Sequence, residues 1–410
     1  MGTEVTPETA KPNGHGPRRR QSKGHAGDVP RRAQRGKQAV GGPVRPGLYV
    51  SIPFCAQKCT YCNFSSQVYR RSLRTRYISC LSTELRETDP GDPDTLYLGG
   101  GSPSMLEPQE FALVAACLPA REWAEATIEV APGEATSGRL REWLKAGMTR
   151  ASLGVQSFDP RVARQSGRRH TPETVLSQIR LLRDGGIRQI SVDLIAGLAR
   201  QTRATWERSL EWVERVDVEH VSVYMLEADD ESRLGRELQS GGQRYGALHV
   251  PSEDEIVDMY LTAVEGLRGL GYERYEVSNF ARTGARSLHN LKYWRMEPYV
   301  GYGSDAHSFN GRVRRQNVPS APEYVSRIDA ARSPLDRKEE LDAARLLEDR
   351  VLTGLRASDG IRLRTDEWRQ LLPPARRLAA RGWLRVQQPT LRLTDEGMLF
   401  ADQAVLELLG

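Results

Sequence analysis

The sequence is poor in cysteine and has no long apolar run. Five cysteines among 410 residues are too few for a disulfide scaffold, and three of them, Cys55, Cys59 and Cys62, stand close together. This distribution favours thiolates that bind metal in a reducing compartment. No stretch approaches the ~18 consecutive apolar residues that a membrane span needs, and the first residues lack the apolar region of a secretory signal. We therefore predict a cytoplasmic protein without a membrane span.

The basic charge of the chain is confined to its N-terminal segment. Residues 1–46 carry ten basic and three acidic side chains, a net charge of +7, whereas the whole chain has +6, so the remainder sums to −1. The segment is rich in glycine and proline and has almost no large apolar residues, which predicts a disordered tail. Such a tail most simply solvates the protein, with weak contact to RNA or acidic lipid as the alternative. The nearly neutral body predicts no specific nucleic-acid partner.

From residue 48 onward, strand-like and helix-like segments alternate. The β-rich runs are LYVSIP (48–53), TLYLGG (95–100), TIEVA (127–131), RASLGV (150–155), QISVDLI (189–195) and HVSVYML (220–226). Segments with helical spacing separate them, so the pattern predicts parallel βα units. We predict an α/β fold, a partial (β/α)6 barrel over residues 47–312, with its active site at the C-terminal strand ends. Residues 313–410 are predicted to form a small winged-helix-like α+β domain.

The three clustered cysteines lie in IPFCAQKCTYCNF, directly after the first predicted strand. The spacing C-x3-C-x2-C places three thiolates on one compact loop. Three ligands leave one iron of a [4Fe–4S] cubane open for chemistry, whereas four would close a cluster or a zinc site. The alternatives are structural thiols or a zinc site completed by a distant histidine. Cys80 and Cys117 lie in helical patterns among apolar residues and are predicted to be inert core thiols.

A second group of candidate residues follows the other predicted strands. Glycines in LGGGSPS (98–104) allow backbone N–H groups to approach a polar ligand closely. Further polar residues lie at or just beyond strand ends, where each alone would be a helix cap or a surface group. Together they alternate acid and base around one barrel mouth, which suits a zwitterionic ligand that carries a ribose. They are Glu129, Gln156, Arg168 and Asp193.

The cysteine loop resembles the signature of the radical S-adenosylmethionine (SAM) superfamily. The resemblance implies that the open iron chelates the amino and carboxylate groups of SAM, and that the reduced cluster cleaves the sulfonium to release a 5′-deoxyadenosyl radical. LGGGSPS is similar to the family's GGGTPS, with Ser102 in place of threonine, so Gly100, Gly101 and Ser102 are expected to meet the amino group. The family's contacts to the ribose, carboxylate and adenine would fall on the four strand-end residues above, together with Tyr49 and Tyr61. An electron donor of flavodoxin or ferredoxin type is implied as a partner.

From residue 47 to the C-terminus the sequence resembles the coproporphyrinogen III dehydrogenase-like group of this superfamily. The oxygen-independent decarboxylases of that group have a fourth cysteine, at a position that is Phe64 here. The heme chaperone class, HemW, lacks it and has an H-N-x-x-Y-W motif thought to bind heme. This chain has that motif as HNLKYW, so the resemblance implies heme contacts from His289, Asn290, Tyr293 and Trp294. A structural role for His289 is the alternative, and His307 is a second candidate ligand.

These features predict a binding and transfer protein. The expected function is a chaperone that holds a [4Fe–4S] cluster and SAM, binds heme, and transfers it to an acceptor protein. The alternative is an enzyme, an oxygen-independent coproporphyrinogen III oxidase that decarboxylates propionate side chains; an RNA-modifying enzyme has little support because the body lacks a basic excess. The sequence also departs from the group's pattern at Ser51, where a histidine is usual, and at Ala199 and Arg200 after Asp193. We therefore do not expect a competent decarboxylase.

Overall fold

The computed structural model describes residues 44–227 and 229–410. The predicted disordered tail, residues 1–46, lies outside the described residues except for its last three. Among these, Arg45 forms an ion pair with Asp92, with Nε 2.9 Å from Oδ2. Pro46 accepts a hydrogen bond from the backbone N–H of Asp94. Arg45 and Pro46 therefore contact the body of the protein, although the sequence predicts them as part of the tail.

A single sheet organises the larger part of the molecule. Its strands are β1 (Gly47–Ile52), β2 (Thr95–Gly100), β3 (Glu125–Val130), β4 (Arg150–Gln156), β5 (Gln189–Ala196), β6 (His220–Met225), β7 (Glu273–Arg274), β8 (Asn279–Ala281), β9 (Tyr299–Tyr302), β10 (His307–Phe309), β11 (Val313–Asn317) and β12 (Leu335–Glu340). Their order is β12-β11-β10-β9-β1-β2-β3-β4-β5-β6-β8-β7. Strands β1 to β6 pair in parallel and in chain order. The predicted α/β fold with a parallel barrel-type sheet is confirmed.

Helices follow most of the parallel strands and cover one face of the sheet. The helices of this part of the molecule are α1 (Arg71–Glu87), α2 (Pro108–Ala115), α3 (Ser137–Lys145), α4 (Pro160–Gln165), α5 (Pro172–Asp184), α6 (Arg203–Val216), α7 (Arg233–Gln239), α8 (Glu253–Gly269), α9 (Leu288–Trp294) and α10 (Ala321–Asp329). Helix α9 lies instead at the beginnings of β2 and β3. Several helices begin at threonine or serine capping boxes, as at Thr202 and Ser252, which satisfy the first free N–H groups.

Strand β5 shows how the sheet divides apolar from polar side chains. Val192 and Leu194 are fully buried in the main hydrophobic core. Ser191 and Asp193 alternate with them and line a cavity on the other face. Because successive side chains of a strand point to opposite faces, the same strands form both the core and the wall of the cavity.

The C-terminal part is built separately around its own hydrophobic cluster. It contains β13 (Ile361–Arg362), β14 (Leu384–Gln387) and β15 (Thr390–Leu393), with α11 (Ala343–Gly354), α12 (Thr365–Ala380) and α13 (Ala401–Leu409). Its three strands form an antiparallel sheet in the order β13-β15-β14. The winged-helix-like interpretation of this part stays a prediction.

The predicted start of the C-terminal domain at residue 313 does not match the structure. Strands β11 and β12 belong to the large sheet, so the change of architecture falls near residue 341. Strand β12 (LDRKEE) forms an edge of the sheet, where charged side chains oppose further strand pairing, and β11 (VRRQN) lies between β12 and β10. Both strands are highly charged. They consequently lack the apolar pattern that marks the inner strands.

No helix of the described residues is long and apolar enough to cross a membrane.

Candidate functional site

A cavity of about 380 Å³ opens at the C-terminal ends of the parallel strands. It brings together most residues that the sequence predicts for the cluster and for SAM. The predicted residues in its wall are Cys55, Cys59, Tyr61, Cys62, Gly100, Gly101, Ser102, Glu129, Gln156, Arg168 and Asp193. Tyr49 is not in the wall; its ring stacks on that of Tyr97, with centroids 6.1 Å apart.

The three cysteines lie on one loop that backbone and lysine contacts hold in place. The N–H of Cys55 donates to the carbonyl of Gln67 at 3.1 Å. Lys58 Nζ donates to the carbonyls of Phe64 at 2.5 Å and Ser66 at 2.7 Å, which closes the loop around Cys59 and Cys62. Burial raises the pKa of Cys55, and the neighbouring cysteines add to this effect.

The three thiols of the cysteine loop line one cavity, a donor set that fits a [4Fe–4S] cluster. Within residues 44–227 and 229–410, no three His, Cys, Asp or Glu side chains are grouped closely enough to hold one metal ion. A [4Fe–4S] cluster spreads its thiolate ligands over separate iron atoms. The other two cysteines are not in the cavity wall: Cys80 lies on α1 beside Asp329, and the Cys117 thiol contacts the Leu113 carbonyl.

The glycine loop after β2 packs directly against the cysteine loop. Gly100 has a φ of +102°, which strongly favours glycine. A β-carbon on Gly101 would lie 2.6 Å from the carbonyl oxygen of Phe54, so only glycine fits this contact. The N–H of Ser102 donates to the same carbonyl at 2.7 Å. This close approach fixes the two predicted binding loops against each other.

Two half-buried carboxylates, Glu129 and Asp193, face the cavity from β3 and β5. Tyr97 donates a hydrogen bond to Glu129 Oε1 at 3.0 Å, and burial raises the pKa of Glu129 to about 7, with the charge of Asp193 contributing. Burial also raises the pKa of Asp193, although hydroxyl donors oppose this shift. These donors are Ser152, Ser191 and Ser222, at 2.9, 3.3 and 2.7 Å.

Gln156 and Arg168 present polar atoms that the protein leaves without partners. Arg168 Nη2 donates to the hydroxyl of Tyr61 at 3.3 Å. Arg168 Nε and Gln156 Oε1 are buried without a hydrogen-bond partner among the described residues. Gln156 also has a φ of +68°, a strained value for a residue other than glycine. Buried polar groups normally find partners, so these two atoms fit a polar ligand such as SAM beside the cysteines.

The HNLKYW motif lies at the opposite end of the barrel. It forms α9, whose preceding residue, Ser287, donates to Glu125 Oε1 at 3.0 Å at the beginning of β3. His289 is only 1% exposed; its Nδ1 is 2.9 Å from Thr95 Oγ1 and its Nε2 is 2.9 Å from the Tyr293 hydroxyl. Burial lowers the pKa of His289 to about 3.

The four predicted heme contacts therefore do not form an open heme site in this conformation. Both ring nitrogens of His289 already have partners, so iron coordination would require one of these hydrogen bonds to break. Of the four residues, only Asn290 lines the cavity. The alternative candidate, His307, lies on β10, outside the cavity wall. The structure thus favours a structural role for His289.

Sequence reasoning missed a set of residues deeper in the cavity. The sequence pattern could have identified them, because alternate residues of a strand point to the same face. Each of these residues lies an even number of positions from a predicted site residue or from the end of a predicted strand. In register, Glu129 is next to Ser152, Ser191 next to His220, and Asp193 next to Ser222. The missed residues in the wall include Tyr97, Ser152, Ser191, His220, Ser222 and Tyr224.

Comparison with known proteins identifies close similarities. Residues 49–213 match the model of the radical SAM superfamily. The chain is 30% identical over 322 residues to the heme chaperone HemW of Bacillus subtilis, covering 76% of this chain and 84% of the relative. It is 30% identical over 346 residues to the heme chaperone HemW of Escherichia coli, covering 78% and 89%.

A solved structure has the same fold over nearly its whole length. Coproporphyrinogen III oxidase (HemN) from Escherichia coli, a radical SAM enzyme, superposes with a TM-score of 0.77. The alignment covers 89% of this chain and 90% of the other, at 22% sequence identity. At this sequence identity, the structural similarity shows a shared fold and nothing more.

Proposed function

This chain belongs to the radical SAM superfamily and, within it, to the family of the heme chaperone HemW, and we propose that it binds a [4Fe–4S] cluster, SAM and heme and transfers heme to an acceptor protein. One observation carries the first part of this proposal. The three cysteines of one loop and the polar residues of several strand ends line the same cavity. The heme function is supported by similarity over most of the chain to proteins named heme chaperones.

Cys55, Cys59 and Cys62 would hold the cluster, with the glycine loop beside it to receive the amino group of SAM. When bound, the reduced cluster supplies the electron that radical SAM proteins pass to the sulfonium. Around that ligand, Arg168 Nε and Gln156 Oε1 would gain the hydrogen-bond partners that the protein does not give them. The carboxylates of Glu129 and Asp193 would accept hydrogen bonds from ribose hydroxyls.

Phe64 favours the chaperone over the decarboxylase. It occupies the position of the decarboxylases' fourth cysteine, and its side chain is 69% exposed at the cavity mouth. No thiol can act there. Tyr224 and Met225, 42% and 39% exposed, also line the cavity. Large exposed side chains along one cavity are typical of a binding site, and this part of the wall suits a flat apolar ligand such as heme better than the enclosed His289 does.

The protein would need two protein partners for this function. One is the heme acceptor, and the other is a flavodoxin- or ferredoxin-type electron donor that reduces the cluster. We propose that it acts in the cytoplasm, where a reducing environment keeps the cysteine thiols available for iron.

Titration of the anaerobically reconstituted protein with hemin tests the proposal, beside an assay for porphyrinogen decarboxylation. We expect binding of about one heme per chain with a shifted Soret band and no conversion of coproporphyrinogen III, even with SAM and reductant. Phe64→Cys is not expected to restore conversion, because Ser51 and the turn at Ala199 also differ. Robust decarboxylation by the unmodified protein, or failure to bind hemin, would overturn the chaperone function.

The variant His289→Ala tests the motif separately. A lost Soret shift with unchanged iron–sulfur absorbance would mean that α9 opens to supply the ligand. An unchanged Soret shift would leave the function standing and place the heme elsewhere.

A further inference from the structure

A chain of buried hydrogen bonds connects the beginning of α9 to Asp193. The backbone N–H of Ser287, the residue before α9, donates to the Tyr275 hydroxyl at 3.2 Å. That hydroxyl is 2.8 Å from His220 Nε2, and His220 Nδ1 is 2.7 Å from Ser191 Oγ. Ser191 Oγ in turn donates to Asp193 Oδ1 at 3.3 Å.

With Asp193 ionised and Ser191 as its donor, one arrangement of protons satisfies every hydrogen bond of this chain. The ionised carboxylate of Asp193 has no proton to donate, so the single hydroxyl proton of Ser191 points to it. His220 Nδ1 must then be the donor to Ser191 Oγ, because a hydroxyl has only one proton. This leaves His220 Nε2 as the acceptor for the Tyr275 hydroxyl. A neutral imidazole is required, and burial, with the charge of Arg150, lowers the pKa of His220 well below its usual value.

The far end of the chain is firmly anchored. The segment 284–292 touches the first residue of several parallel strands at the end of the barrel opposite the cysteines. Glu125, which begins β3, accepts from the hydroxyl of Ser287 and from the N–H groups of Leu288 and His289, each at 3.0 Å. Arg150, which begins β4, donates to the carbonyl of Ala285 at 3.0 Å. The beginning of α9 is thus a fixed point from which the chain runs up to the binding cavity.

We infer that His220 is a positioning residue for SAM, which orients Ser191 and, through it, the carboxylate of Asp193. This inference rests on the proposed function, because it takes Asp193 to be a SAM contact. His220 fixes which way the Ser191 proton points, and Tyr275 fixes the tautomer of His220. Ser191 thereby becomes a dedicated donor that holds one carboxylate oxygen, while Ser152 and Ser222 bind the same group from the neighbouring strands.

The inference predicts that a residue outside the cavity wall affects SAM binding. Tyr275 is fully buried and does not line the cavity, yet Tyr275→Phe removes the proton that fixes the tautomer of His220. We expect the dissociation constant for SAM, measured by calorimetry on the reconstituted protein, to rise about fivefold, the usual effect of one lost hydrogen bond. Tyr272→Phe is the matched control, since its hydroxyl donates to the Val218 carbonyl and has no connection to Asp193; SAM affinity should be unchanged.

Substitutions of His220 separate positioning from packing. His220→Ala should weaken SAM binding by at least as much as Tyr275→Phe, with iron content retained. His220→Asn can still place an amide N–H near Ser191 and should recover most of the affinity. Unmodified protein that fails to bind SAM would overturn the proposed function. Unmodified protein that binds SAM, with Tyr275→Phe and His220→Ala no weaker than Tyr272→Phe, would overturn the positioning role alone.

Discussion

The cavity holds titratable residues whose surroundings affect whether they are charged. Cys55 and Glu129 both have raised pKa values because burial disfavours their ionised forms. Arg168 lies among them as a half-buried cation that donates a hydrogen bond to the Tyr61 hydroxyl. A thiolate cluster and a zwitterionic ligand would change the charge around each of these groups, so their contributions can be tested one residue at a time.

Cluster ligation depends on three specific thiols. We expect any one of Cys55→Ala, Cys59→Ala or Cys62→Ala to abolish most of the roughly four irons per chain that a [4Fe–4S] cluster contributes. Cys80→Ala and Cys117→Ala, which alter thiols outside the cavity wall, should leave iron content unchanged. Iron analysis after anaerobic reconstitution measures both results, and loss of iron in the Cys80 variant would contradict the assignment.

Glu129 gives the stability of the protein a defined pH dependence. Its pKa rises from 4.5 to about 7 on folding, so between these values the folded protein binds a proton that the unfolded chain has released. The free energy of unfolding therefore falls as the pH rises through this window. Glutamine does not ionise, so Glu129→Gln removes this loss of stability at high pH. The thermal midpoint of the variant minus that of the unmodified protein should be about 3 °C larger at pH 8 than at pH 5.5.

The matched control for this pH effect is Glu122→Gln, at an exposed position. Its midpoint should differ from that of the unmodified protein by the same amount at both pH values. An equal difference at the two pH values for Glu129→Gln would show that this carboxyl is not protonated by folding. All measurements use the protein without added SAM, because ligand contacts would also shift the pKa.

At the scale of elements, the loop between β2 and α2 depends on the absence of side chains. Gly101→Ala would place a β-carbon 2.6 Å from the Phe54 carbonyl and 2.8 Å from that of Ile52. Because both are backbone atoms, the cysteine loop must shift. We expect reduced cluster content and a thermal midpoint lower by several degrees, the effect of about 2 kcal/mol or more.

A second glycine supplies the control for this effect. Gly138 lies in α3, and a β-carbon there would have no neighbour nearer than 3.9 Å. Gly138→Ala should retain cluster and SAM binding and raise stability slightly, since alanine favours helix. If Gly101→Ala kept full iron content and SAM affinity, the close packing of the two loops would not be needed for the site.

For the whole molecule, the truncation point decides which contacts survive. A protein that begins at Val44 keeps Arg45, which pairs with Asp92 and whose carbonyl accepts from Lys292 Nζ at 2.8 Å. We expect it to match the full chain in cluster content, SAM affinity and thermal midpoint. A protein that begins at Gly47 loses these contacts and should melt a few degrees lower. Loss of cofactor in the Val44 version would show that residues 1–43 contribute to the site.

Much of the barrel was predictable because its strands are buried. The six β-rich runs correspond to β1 to β6 within two residues at each end, since parallel strands covered by helices are continuous apolar segments. The charged outer strands β11 and β12 lack that pattern, which is why the boundary was predicted at residue 313 although both strands belong to the large sheet. The sequence thus predicted the bounds of the buried strands correctly and missed the strands whose side chains face water.

The sequence by itself predicted that the cysteine loop, the glycine loop, Glu129, Gln156 and Asp193 lie together. This was possible because the C-terminal ends of parallel strands share one edge of the sheet, so positions just after each strand must converge. Arg168, which was expected at a strand end, follows α4 instead. Only the tertiary structure decided the place of His289, because its neighbours Thr95 and Tyr293 come from β2 and from the next turn of α9. Nor could the sequence show that Tyr275 and His220 join α9 to Asp193. A hydrogen bond between residues distant in the chain depends on distances that only the folded barrel sets.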